Sequence, residues 1–111
     1  ARLVMVDPNG VDRLKLTLRA NGEQGVSMAD STGSARVVLG YLDDGSTTLA
    51  FADERGQTRS VLGLAPSEGA SLLFADANGG TRAIMGVDRD GAPTFWWPSV
   101  VETTAATAAD D

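Results

Sequence analysis

The chain has 111 residues, a net charge of −6, and neither histidine nor cysteine. That length suits one domain able to bury roughly 60–68% of its unfolded surface, and the acidic balance disfavours phosphate backbones and anionic bilayers, so no nucleic acid is a predicted partner. Without His or Cys the commonest general base, the thiolate nucleophile, disulfides and thiolate metal sites are all missing, and no P-loop, dinucleotide fingerprint or G-x-S-x-G occurs; no catalytic residue, metal site or cofactor is predicted, and the chain reads as a non-enzyme.

The predicted elements follow a 23-residue repeat whose copies begin at Met5, Met28, Phe51 and Phe74. In the first copy Asp7-Pro8-Asn9-Gly10 is a turn, Arg13–Leu18 a strand, Asn21-Gly22 a second turn and Val26–Ala29 a second strand. The next copy gives Asp30 to Gly33, Arg36–Leu42, Asp44-Gly45 and Leu49–Ala52. The third gives Asp53 to Gly56, Arg59–Leu64, Ser67-Glu68-Gly69 and Leu72–Ala75, and the last Asp76 to Gly79, Arg82–Val87, Asp90-Gly91 and Phe95–Trp97. Asx-Gly pairs mark hairpin turns, because Gly accepts positive φ and an Asx side chain accepts backbone N–H bonds across the bend. Pro98 stops the ladder. No run nears the roughly 20 apolar residues of a membrane-spanning helix.

Three columns do not vary: Asp7, Asp30, Asp53 and Asp76; Gly10, Gly33, Gly56 and Gly79; Arg13, Arg36, Arg59 and Arg82. With Gly at about 7% of residues, three further Gly in register have a chance on the order of 10⁻⁴. The columns read as structural turn and repeat positions. The alternatives are a carboxylate ring around a cation, for which Asp-x-x-Gly supplies too few oxygens, and an anion site at converging Arg residues. Gly40, Gly63 and Gly86 fall mid-strand, where Gly has a use only if backbone approaches closely or bends.

Alternation places Leu14, Leu16 and Leu18, Val37, Leu39 and Tyr41, Leu49 and Phe51, and Leu72 and Phe74 on one face, with small residues such as Ser27, Ala50, Gly63 and Ala75 on the other. The preferred pairing sets Met5 opposite Leu14 and Val6 opposite Arg13 across the four-residue loop Pro8–Val11. For the second turn it sets Leu18 opposite Val26, Leu16 opposite Met28, Tyr41 opposite Leu49 and Leu39 opposite Phe51. The predicted fold is all-β: tandem hairpins in an antiparallel meander of about nine strands, closed or nearly closed as a barrel or flower-like ring so that no sticky edge remains. The competing fold is a β-solenoid with one coil per repeat, which would stack like charges in ladders.

The stretches FADERGQTRSVLG, FADANGGTRAIMG and MADSTGSARVVLG, with a degraded MVDPNGVDRLKLT, carry a resemblance to bacterial tandem-repeat proteins with an apolar-x-D-x-x-G-x-x-R-x-x-L-G consensus. It covers Met5 to Trp97 and implies an all-β repeat, often behind an N-terminal export or anchor segment; it implies no activity. The expected organisation is a repeat domain over 1–98 and a small, acidic tail or linker over 99–111. The start at Ala1 rather than Met points to a processed or trimmed product, with an extracytoplasmic or membrane-anchored location through an upstream segment. The functional expectation is a structural or assembly module whose partner is protein, as a homo-oligomer or within a larger complex. A glycan- or apolar-ligand-binding module using Trp96 and Trp97 is the alternative.

Overall fold

A computed structural model describes residues 1–98; the acidic tail expected over 99–111 lies outside the described residues. Nine strands follow one another: β1 (Arg2–Val6), β2 (Asp12–Leu18), β3 (Gln24–Ala29), β4 (Ala35–Tyr41), β5 (Thr47–Ala52), β6 (Thr58–Ala65), β7 (Gly69–Ala75), β8 (Thr81–Asp88) and β9 (Pro93–Trp96). They form one antiparallel sheet in sequence order, so every neighbour in the chain is a neighbour in space. This is the hairpin meander; the solenoid is absent, because adjacent strands run antiparallel throughout.

The eight turns each contain one glycine at positive φ, from Gly10 to Gly91. Seven close identically. In the first, the Asp7 N–H donates to the Val11 carbonyl and the Gly10 N–H donates to the Asp7 carbonyl, both at 2.9 Å, leaving Pro8-Asn9-Gly10 as a three-residue loop. The exception is Ala65–Gly69, where Glu68 holds the usual glycine position and the positive φ moves one residue on to Gly69.

Two details of the expected pairing change. Met5 does face Leu14, but the loop has three residues, and a bulge then sets Val6 opposite Asp12 rather than Arg13. The extra residue, Arg13, absorbs the offset; the same irregularity recurs where Asp30, Asp53 and Asp76 begin their turns. At the other end of the sheet the pairing is two residues from expectation: Val26 faces Leu16, Met28 faces Leu14, Leu49 faces Leu39 and Phe51 faces Val37. A slip of two leaves every side chain on its predicted face.

The sheet is open, contrary to the predicted closure. Strand β1 pairs only with β2 and β9 only with β8. The molecule measures 56 × 35 × 13 Å, the thickness of a single sheet, and its radius of gyration is 17.8 Å, against about 13 Å for a compact chain of this size. At one edge β9 has four residues and starts at Pro93, which has no N–H to give to a further strand. No described residue is buried.

Candidate functional site

The invariant columns assemble along one end of the sheet, where the turns after β1, β3, β5 and β7 lie. At each, one carboxylate oxygen caps the turn. Asp53 Oδ1 accepts N–H bonds from Arg55 and Gln57, both at 3.0 Å; Asp7, Asp30 and Asp76 do the same at their own turns. The second oxygen faces the arginine of the following strand, at 3.2 Å for Asp7–Arg13 and 3.5 to 3.6 Å for the other three pairs.

The arginine also reaches forward. Arg13, Arg36 and Arg59 donate from Nε to the carbonyls of Ala29, Ala52 and Ala75, at 2.8, 2.6 and 2.8 Å. Each of those alanines immediately precedes the next invariant Asp. The last regular pair of β2 and β3 is Leu14–Met28, so the bulged Arg13 stands beside Ala29 just where the backbone ladder stops, and its guanidinium continues the ladder. One arginine thus ties its own turn to the strand end that enters the next.

These bonds depress the carboxylates. The Val11 N–H holds Asp7 below the usual carboxylate range, with Arg13 adding to the effect; the Thr32 hydroxyl does so for Asp30 and the Gly80 N–H for Asp76. For Asp53 partial desolvation pushes upward, but the Gln57 and Arg55 N–H groups and two guanidinium charges outweigh it. Because both oxygens of these carboxylates are engaged and Arg13, Arg36 and Arg59 are tied on both sides, this end of the sheet is a turn-locking device.

The sheet face has a different character. One row crosses all nine strands at mid-height: Leu3, Leu16, Val26, Leu39, Leu49, Leu62, Leu72, Met85 and Phe95. The rows on either side of it run through Leu14, Met28 and Phe51 and through Leu18, Tyr41 and Leu64. Within the strands this face carries no Asp, Glu, Lys or Arg. Fourteen of the eighteen exposed large apolar residues lie on it, the others being Val6, Val38, Leu42 and Trp96. The opposite face holds Arg2, Lys15, Thr17, Thr48, Ser71 and a line of glycines, with one apolar row that runs from Val38 through Ala50, Val61, Leu73 and Ile84 to Trp96.

The two tryptophans separate at the β9 edge. Trp96 pairs with Ile84 on the mixed face and is 48% exposed, whereas Trp97 follows the strand and sets its ring edge-on to Phe95, which belongs to the apolar face. Sequence patterning identified both the aromatic edge and the turn columns. The lack of charge over an entire face went unremarked, although counting Asp, Glu, Lys and Arg at one parity would have found it. No protein-family model matches the chain, and no curated protein matches it.

Proposed function

We propose that the chain is a non-catalytic structural or assembly module that associates with protein, either its own copies or a larger complex. The observation that carries this reading is the fully uncharged, exposed apolar face of a sheet in which nothing is buried. Single monomers rarely expose contiguous apolar patches beyond about 300–600 Å². The fourteen exposed side chains here offer on the order of 1,000 Å². The repeated Asp, Gly and Arg serve the scaffold, which leaves no reactive constellation to argue for an enzyme.

The test is native purification of the tagged chain with light scattering of the product. The reading expects a particle heavier than the 11.5-kDa chain, with further copies or another protein in it; a lone chain with nothing co-purifying contradicts it. A second reading, capture of a glycan or apolar ligand at the Trp96/Trp97 end, draws on the exposed Phe95 and Trp96 at the β9 edge and on the Trp97 ring set against Phe95. It expects Trp96→Ala to abolish hits in a ligand array, and an array without hits removes it.

A further inference from the structure

We infer that the uncharged face is covered by the same face of a second copy, giving a two-fold, two-layer β-sandwich. The inference rests on the assembly reading and commits it to one occupant and one face. Three observations favour a second copy. The first is area: a standard protein interface takes about 800 Å² from each partner, and the exposed apolar side chains of this one face supply that much or more. The second is charge. Two chains of net charge −6 repel, yet this face contributes no charged side chain, so face-to-face stacking keeps the acidic turns at the rim and buries no unpaired ion. The third is the lack of a core. Since no described residue is buried, the cover is needed whenever the sheet is folded, and the partner always present at matching concentration is another copy.

Other occupants fit less well. Strands of four to eight residues are shorter than the roughly 9–11 that cross a bilayer, and a chain of net charge −6 is repelled by anionic lipid surfaces. Residues 99–111 contain Val100 and Val101 as their only large apolar side chains, too few to cover nine strands. With the two-fold axis between the sheets, parallel to the strands and level with β5, the first strand of one copy lies over the ninth of the other and the fifth over the fifth, so Leu49, at the middle of the middle strand, lies near its own copy. The flat mid-height row then packs across an equivalent row, with the sheets about 10 Å apart.

Light scattering of the purified chain at about 100 μM is expected to give 23 kDa, twice 11.5 kDa. Leu62 is 48% exposed on this face, so Leu62→Glu leaves a single sheet solvated but puts a charge into the pair; it is expected to weaken association at least about 100-fold. Thr48→Glu, on the opposite face, is expected to keep the 23-kDa particle. Should Leu62→Glu fail to fold, a nitroxide on Thr48→Cys still decides, because the chain has no other cysteine. Stacked sheets put the two labels roughly 20–30 Å apart, allowing for the linkers.

A mass other than two chains, or dipolar distances beyond about 40 Å that mark edge-to-edge pairing of nine-stranded sheets, overturns the inference. A monomer that floats with phosphatidylcholine vesicles makes lipid the occupant and overturns it too. A monomer that co-purifies with a different protein overturns it but leaves the assembly reading standing; a monomer that does neither removes both.

Discussion

Asp53 carries two tasks with one carboxylate: it caps its own turn through the Arg55 and Gln57 amides and faces Arg59, with a side chain only 10% exposed. Its folded-state acidity is stronger than that of the free side chain, as for Asp7, Asp30, Asp44 and Asp76. A group depressed on folding contributes stability that is complete above its unfolded value, near 3.8, and is lost as pH falls through the lower folded value. Thermal melting should therefore be flat from pH 7 to about 5 and fall steeply below about 4. Asp53→Asn should lower the melting temperature at pH 7 and shrink the acid dependence; an unchanged profile would remove the capping account. The mid-strand glycines divide in a way alternation does not show. A Cβ at Gly63 meets the Thr47 carbonyl oxygen at 3.7 Å, an ordinary contact, whereas at Gly86 it runs into the Ala70 carbonyl. Gly63→Ala is expected to be neutral or to stabilise by up to about 1 kcal/mol, and Gly86→Ala to cost more than about 2 kcal/mol in chemical denaturation.

Among the elements, the hairpin is a unit because the bulged arginine reaches the next hairpin. Arg59 ties Asp53 to the Ala75 carbonyl, and a lysine keeps the charge but cannot span both with a planar fork. Arg59→Lys should cost about 1 kcal/mol and speed hydrogen exchange in the Asp76–Gly80 turn more than elsewhere; uniform exchange would contradict a local staple. The turns were legible because a positive φ demands glycine and the glycines recur at fixed spacing. Facial assignment was legible for a similar reason: Leu14, Leu16 and Leu18 report the same face whichever partner they meet. The pairing of Leu16 was not. A slip of two residues exchanges Met28 for Val26 opposite it, and both are apolar. The bulge at Arg13 was hidden because its signature is a side chain bonded to a carbonyl 16 residues on.

For the whole molecule, the repeat specifies how each strand follows the last but carries no signal for where the series should end or curl. Closure was expected from the need to hide edges; the edge at β9 is instead made short and started with Pro93, and the apolar burial that a barrel interior would have provided is left on an open face. A sequence pattern of nine apolar mid-strand positions is satisfied equally by a barrel lumen and by a stacked pair of sheets, so that choice was not legible in the residues. The strongly apolar face, uncharged over all nine strands, is the feature that demands a cover. Small-angle X-ray scattering of the purified chain tests that demand most directly. The account predicts a flat particle of 23 kDa, twice 11.5 kDa, with a thickness near 23 Å, the 13 Å of one sheet plus about 10 Å for the second layer. An 11.5-kDa particle with the 17.8 Å radius of gyration of the single sheet would contradict it.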